Sequence, residues 1–242
     1  MTQLGNTERL ESILQAVVEQ YIATAKPVSS KQLFDDHDFG VSPATLRNDL
    51  AELETGGYIE QPHTSAGRIP TEMGYQYYIT HFLHKRSLTK RQQHQLSEAA
   101  TSAPDSAVQT AKQMARAISS LTDEMVVMSI DGEEFYYTGI ANMLRKPEFV
   151  DGREMMLEVS DMFDDMESVL DSARSKMEKD IEVFIGDKNP VSRHCAMIVA
   201  EYDQDGRQSV FGILGPMRMD YNHNINILQA LEQFMNQQQK RL

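Results

Sequence analysis

The chain has 242 residues, with 23 Lys and Arg against 36 Asp and Glu, so its formal net charge is -13. That balance argues against a protein that coats nucleic acid through bulk charge. The single cysteine, Cys195, excludes an internal disulfide framework and a zinc site built on several thiolates. No apolar run approaches the ~20 residues that span a bilayer, and the N-terminus lacks the layout of a secretory signal. We therefore expect a cytoplasmic, globular protein without membrane contact.

The charge is unevenly distributed along the chain. Residues 1–91 hold 9 basic and 11 acidic residues, whereas the other 151 residues hold 14 and 25. Nearly all of the acidity therefore lies in the C-terminal part. Within 41–91 the balance is 6 basic against 5 acidic residues. If the protein binds nucleic acid, we expect the contact in this least acidic stretch.

The N-terminal segment predicts three helices. Apolar residues that recur at helical spacing predict the first, and a capping box of Ser29 and Gln32 begins the second. Ser42 as N-cap, with Pro43 at the first helical position, begins the third. The predicted helices cover 7–24, 30–37 and 43–54.

A short hairpin is predicted after the third helix. Residues 58–61 alternate as a strand, Pro62 breaks it, and the small polar run 63–68 is typical of a hairpin tip. The chain then returns through 69–71 into a helix over 73–83. Three helices followed by a hairpin make a winged helix, whose second and third helices form a helix-turn-helix.

The remainder of the chain predicts an α+β domain with a mostly antiparallel sheet and long flanking helices. Asp131-Gly132, between two apolar runs, is a strong hairpin signal. The predicted helices cover 107–121, 153–173 and 224–238, and the predicted strands cover 125–130, 133–138, 181–185, 195–202 and 209–214. We expect a winged helix-turn-helix domain at 1–86, a helical connector at 87–105 and an α+β domain at 106–242.

The first turn of the third helix carries the candidate base-reading residues, because a recognition helix enters the major groove with this turn leading. The candidates are Ser42, Pro43, Ala44, Thr45, Arg47 and Asn48. Arg suits guanine, Asn suits adenine, and the methyl groups of Ala and Thr suit thymine. Three-helix units with a hairpin also serve as protein-interaction modules, so this pattern leaves both interpretations open. Arg68, beside Gly67 on a small-residue loop, favours DNA because it suits a minor-groove or phosphate contact.

Sequence motifs along most of the chain carry a family resemblance. The run VSPATLRNDLAELETGGYIEQPHTSAGRIPTEMGYQYYI at 41–79, with KPVSSKQL at 26–33, resembles the winged helix of the heat-inducible transcription repressor family, HrcA. YYTGIANMLRKPEF at 136–149, IEVFIGDKNP at 181–190 and GILGPMRMDY at 212–221 continue the match more weakly. The resemblance implies a reading helix at 42–48 and a wing whose DNA contacts are His63, Thr64, Ser65 and Arg68.

The same resemblance implies a dimeric repressor that binds an inverted-repeat operator upstream of chaperone operons and is released on heat stress. A chaperonin, which keeps such repressors competent, is then an expected partner beside double-stranded DNA. Lys31, Lys85 and Arg86 are candidate phosphate contacts. The alternative is a winged-helix regulator of another regulon, controlled by a small-molecule ligand in the C-terminal domain.

The chain is shorter than typical members of that family, which carry a GAF-like domain with an inserted dimerisation segment. Only about 15 residues, 121–135, separate the amphipathic helix from Tyr136. We therefore expect a reduced GAF-like domain that lacks the inserted segment and part of the sheet. Dimerisation is then expected to differ from the family's usual mode.

One predicted helix, 153–173, carries apolar residues spaced like a coiled-coil seam. They are Met155, Val159, Met162, Met166 and Val169. The seam could form a dimer interface, but we expect it to pack on the sheet of its own domain. The aspartates on the opposite face lack the Gly and terminal Glu of a calcium loop, so we expect them to be solvated.

Other candidate sites favour structural over chemical roles. His194 and Cys195 are neighbours in a predicted strand, so their side chains point to opposite faces, and Cys195 is expected in the core. His81 and His84 have no evident third metal ligand. No nucleophile–base pair, metal set or phosphate loop remains. We therefore expect a protein that is not an enzyme and that needs no cofactor or metal.

Overall fold

The computed structural model describes residues 7–103, 106–204 and 207–239. The chain divides into two compact units, Met1–His84 and Lys85–Leu242. The end of the predicted connector, residues 104 and 105, lies outside the described residues. Among the helices that are described, none is long and apolar enough to cross a membrane.

The N-terminal unit is a winged helix. Its elements are α1 (Thr7–Thr24), α2 (Ser30–Asp36), α3 (Pro43–Thr55), β1 (Ile59–Glu60), β2 (Ile69–Pro70) and α4 (Glu72–His81). The two strands pair antiparallel, with Ile59 opposite Pro70 and Glu60 opposite Ile69. The predicted order of elements is confirmed, and α1 has the predicted bounds.

The apolar faces of the first three helices share one core. Its fully buried members are Leu10, Ile13, Leu14, Val17, Val18, Leu33, Leu46, Leu50 and Leu53. Burying one such side chain stabilises the fold by about 1.5–3 kcal/mol. Because Leu46, Leu50 and Leu53 all lie on one side of α3, the core holds this helix and leaves its opposite face free.

The C-terminal unit combines helices with one sheet. Its helices are α5 (Lys90–Thr101), α6 (Ala107–Thr122), α7 (Ile140–Leu144), α8 (Pro147–Asp151), α9 (Arg153–Asp164), α10 (Met166–Ser175) and α11 (Tyr221–Gln239). Its strands are β3 (Met125–Ile130), β4 (Glu134–Thr138), β5 (Ile181–Ile185), β6 (Cys195–Gln204) and β7 (Arg207–Pro216). The helix of the predicted connector is α5, which packs against α6 and α11.

The five strands follow the order β4-β3-β7-β6-β5, and each neighbouring pair is antiparallel. Counted within the unit, the order is 2-1-5-4-3. The tight turn at Asp131 and Gly132, both with positive φ, joins β3 to β4 as predicted. The α+β fold class is confirmed.

The helix predicted over 153–173 is divided into α9 and α10. The division falls at Asp165, whose φ of -135° and ψ of 39° depart from helical values. Val159, Met162 and Met166 lie buried in a core shared with residues of the sheet. The apolar seam therefore packs within its own domain, as predicted. The side chain of Met155 lies outside the described residues.

Candidate nucleic-acid interface

A tight turn brings α3 into place after α2. His37 ends α2, with its backbone N–H bonded to the Leu33 carbonyl. Asp38 Oδ1 then accepts a hydrogen bond from the Gly40 amide at 2.9 Å. Gly40 has a φ of +67°, a conformation that glycine adopts without steric cost. The turn therefore depends on these two residues and completes the helix-turn-helix.

The first turn of α3 is fixed by its N-cap. Ser42 Oγ accepts a hydrogen bond from the Thr45 amide at 3.2 Å, and the two hydroxyl oxygens lie 3.0 Å apart. Pro43 occupies the first helical turn, where its missing N–H costs nothing. The predicted cap is confirmed, and it gives the exposed turn a defined backbone.

The residues predicted to read bases lie together on this turn. Ser42, Pro43, Ala44, Arg47 and Asn48 are exposed, and Thr45 is half-buried. Among the described residues, no hydrogen bond or ion pair engages the Arg47 and Asn48 side chains. The turn thus presents a guanidinium, an amide and two small side chains to the outside, on a helix whose other face is fully buried.

An ion pair that sequence reasoning missed anchors α3 to α1. Arg9 Nε and Nη2 donate to the two carboxylate oxygens of Asp49 at 2.9 and 3.0 Å. The hydrogen bond with Asp49 raises the pKa of Arg9. Asp49 is buried three residues after Leu46, on the apolar face of α3. An aspartate among the buried leucines of α3 could have predicted a basic partner, because a buried carboxylate needs one.

The wing is a short loop closed by hydrogen bonds. Gln61 Nε2 donates to the Ala66 carbonyl at 2.7 Å, and the Ala66 amide donates to the His63 carbonyl at 2.8 Å. His63, Thr64 and Ser65 are exposed at the tip. The loop thus presents three of the four predicted wing contacts together at its tip, two small hydroxyl side chains beside an imidazole.

Arg68 lies at the base of the wing, where it has partners within the protein. Its Nε is 3.2 Å from Glu54 Oε2, and its side chain is only 18% exposed. Its backbone exchanges two hydrogen bonds of 2.8 Å with Val28. A Cβ on the neighbouring Gly67 would lie 2.5 Å from the Val28 carbonyl. The sequence pattern did not indicate these contacts.

The predicted phosphate contacts are divided between the units. Lys31 is exposed on α2. Lys85 and Arg86 are exposed at the start of the C-terminal unit, where the Arg86 amide donates to Asn226 Oδ1 at 2.8 Å. Lys31 therefore belongs to the same compact unit as the recognition helix, and the other two belong to the α+β unit.

A tyrosine hydrogen bond joins α4 to α1. Tyr77 donates from its hydroxyl to Glu11 Oε1 at 2.5 Å, and its ring stacks on that of His81 with centroids 4.0 Å apart. Burial, with the bond to Glu11, raises the pKa of Tyr77 to about 12. The phenol therefore stays a hydrogen-bond donor throughout the physiological range.

Three buried groups of the C-terminal unit, Glu124, Cys195 and Tyr221, have pKa values that burial raises. Burial raises the pKa of Glu124 to about 8, although Lys146 Nζ, 3.4 Å from Oε1, opposes the shift. Burial also raises the pKa of Cys195 to about 12, so its thiol is protonated and unreactive at neutral pH. Cys195 is a core residue, as predicted. In the part of the chain that the structure describes, no group of three or more His, Cys, Asp and Glu could hold a metal ion.

Two family models match the chain in succession. A model of a DeoR-like helix-turn-helix domain matches residues 9–72, and a model of the HrcA protein C terminal domain matches residues 74–225. A crystal structure of a hypothetical protein, 18% identical, has a TM-score of 0.76 and covers 96% of this chain and 99% of its own. That likeness shows a shared fold.

Individual relatives carry the same family name. The heat-inducible transcription repressor HrcA of Halalkalibacterium halodurans is 40% identical over 137 residues, which are 57% of this chain and 39% of that protein. The protein of that name from Shouchella clausii is 25% identical over 329 aligned positions, covering 93% of this chain and 96% of the relative. Since this chain has only 242 residues, the longer relative contains positions without a counterpart here.

The two matches together extend from α1 through the sheet of the C-terminal unit. Because the HrcA model alone covers more than half of the chain, and a helix-turn-helix with an exposed reading turn precedes it, the chain belongs to the HrcA family.

Proposed function

We propose that the protein is a sequence-specific DNA-binding repressor of heat-shock chaperone genes. The observation that carries this proposal is the exposed first turn of α3, whose arginine and asparagine are free to reach base edges while the opposite face is buried. Relatives named heat-inducible transcription repressors support the choice of heat-shock genes as the regulated genes. An enzymatic function is not part of the proposal.

In this proposal the first turn of α3 contacts the base edges, and the rest of the N-terminal unit positions this turn on the DNA. Arg47 suits guanine O6 and N7, Asn48 suits adenine N6 and N7, and the methyl groups of Ala44 and Thr45 suit thymine. The hydroxyl of Ser42 and the ring of Pro43 border the same surface. The tip of the wing, His63 to Ser65, is proposed to contact the flanking backbone, with Lys31, Lys85 and Arg86 on phosphates.

A dimer on an inverted repeat is the second part of the proposal. Two recognition helices related by a two-fold axis would meet half-sites about 34 Å apart, or a multiple of that spacing. We further propose that the repressor acts in the cytoplasm, that heat stress releases it from DNA and that a chaperonin modulates it. The resemblance to the repressor family implies the last two properties.

Selection of bound duplexes from a random library, at stated salt, tests the reading function. We expect enrichment of an inverted repeat, because two identical turns would each read one half-site. Arg47→Ala should lose the enrichment at one base position of each half-site, whereas Arg145→Ala, an exposed arginine of the C-terminal unit, should keep it. A library that stays unenriched after several rounds would contradict the proposal.

A further inference from the structure

We propose that Glu54 is a positioning residue for DNA binding, which fixes the wing against the recognition helix through its ion pair with Arg68. The inference rests on the proposed DNA-binding function. Glu54 lies in the last turn of α3, and its Oε2 lies 3.2 Å from Arg68 Nε at the base of the wing. A carboxylate on the reading helix thus engages the arginine of the loop that flanks it.

The backbone of Arg68 also anchors the base of the wing, to the segment between α1 and α2. Its N–H and C=O both bond to Val28, at 2.8 Å each, in the segment between α1 and α2. Gly67 approaches this segment so closely that a Cβ would lie 2.5 Å from the Val28 carbonyl. Arg68 therefore joins three parts of the unit: the wing, the α1–α2 segment and the end of the recognition helix.

The limited exposure of Arg68 and its ion pair argue against a main role as a phosphate contact. A contact with the DNA backbone needs an exposed guanidinium, yet this side chain is 18% exposed and its Nε is already paired. The exposed groups of the wing are instead His63, Thr64 and Ser65 at its tip. Arg68 thus influences DNA binding through the position of that tip.

For removal of the Glu54 carboxylate, simple electrostatics and the positioning role predict opposite changes in DNA affinity. Removing a carboxylate from a DNA-binding unit reduces repulsion of the phosphates and should strengthen binding. If Glu54 positions the wing, the same change frees the loop and weakens binding. The sign of the effect therefore separates the two interpretations.

Affinities of the full chain for a duplex selected from the random library provide the test. Glu54→Gln and Arg68→Gln should each weaken binding by about two- to five-fold, as expected for loss of a partly exposed ion pair. The slope of log affinity against log salt should not change. The reversed pair, Glu54→Arg with Arg68→Glu, should restore most of the affinity. Glu52→Gln removes an exposed carboxylate of the same helix and should not weaken binding.

Two results would overturn the proposal. One is unchanged or tighter binding by Glu54→Gln. The other is a salt slope that falls by about 0.9 per protomer in Arg68→Gln, as loss of a phosphate contact requires, without rescue by the reversed pair.

A measurement on the DNA-free protein separates this proposal from the function on which it rests. Hydrogen exchange at the Arg68 and Val28 amides should be faster in Glu54→Gln than in the unmodified chain, because the pair no longer holds the wing base. Equal exchange would contradict the positioning role. A failure to find any bound duplex would contradict the proposed function. The hydrogen-exchange comparison would still test whether Glu54 holds the base of the wing, because it needs no DNA.

Discussion

Arg47 presents an exposed guanidinium from the first turns of α3, next to the buried Leu46. Its replacement by alanine removes one bidentate contact with guanine and leaves the helix packing unchanged. We expect Arg47→Ala to weaken binding to the selected duplex by about 1–3 kcal/mol and to relax preference at one base position. Titrations of matched and base-substituted duplexes check this expectation. A loss of equal size on unrelated DNA would show that Arg47 binds phosphate instead.

Glu124 makes the stability of the C-terminal unit depend on pH. Burial raises its pKa from 4.5 to about 8, against the attraction of Lys146 and Arg218 and with the repulsion of Asp123. Its raised pKa means that the folded state holds a proton that the unfolded state releases above about pH 4.5. The unfolding free energy therefore falls as pH rises from about 4.5 to 8, by at most about 5 kcal/mol from this group.

Glu124→Gln removes that dependence while keeping the size of the side chain. The variant should gain stability relative to the unmodified chain as pH is raised from 5 to 8, and the gain should level off above 8. Denaturant titrations of both proteins across this range measure the difference, in which the shared titrating groups cancel. A difference that stays constant with pH would mean that Glu124 is ionised throughout.

At the scale of the element, the N-cap of α3 links a local hydrogen bond to the shape of the reading surface. Ser42→Ala removes the acceptor of the Thr45 amide and should destabilise the N-terminal unit by about 0.5–2 kcal/mol. Ser42→Gly is the matched control, since glycine at an N-cap costs only a few tenths of a kcal/mol. Thermal unfolding of both variants tests this. Equal losses would point to another contact of the Ser42 hydroxyl, such as the one with the Thr45 hydroxyl, rather than to the cap.

The elements of the N-terminal unit were predictable because each has a strong local signal. Periodicity defines α1, and caps at Ser29 and Ser42 define the starts of α2 and α3. The short helices α7 and α8 were missed, since five residues are too few for a helical period to be recognised. The division at Asp165 was missed because the apolar spacing continues across it.

The candidate site was predictable only where local sequence determines it. The turn from Ser42 to Asn48 follows from a cap, a proline and the helix period. The pairs Arg9–Asp49 and Arg68–Glu54 join residues that are 40 and 14 positions apart. Tertiary packing determines which of several acidic residues each arginine meets, so sequence patterns could nominate Arg68 but not its partner.

For the whole molecule, the charge distribution and the proposed symmetry act together. The first 91 residues hold 9 basic and 11 acidic residues, and the rest of the chain holds 14 and 25. Such a chain gains little from general attraction to phosphates, so occupancy of a site should depend on base contacts and on pairing of two copies.

A protein-to-duplex stoichiometry of two to one is therefore expected on an inverted repeat. Sedimentation or light scattering of the complex should show twice the 27.5 kDa chain mass in addition to the DNA. A duplex with one half-site destroyed should bind much more weakly, because the second copy loses its base contacts. A complex with one chain on an intact repeat would contradict the dimer.

The burial of Cys195 also has a practical consequence for spectroscopy. It is the one thiol in the sequence, it is fully covered, and its pKa is raised to about 12. Maleimide reagents modify exposed thiolates, so they should bypass it in the folded protein. A cysteine introduced at the exposed Thr64 could then carry a fluorophore without removal of the native residue, and the dye would report directly on the surroundings of the hairpin tip.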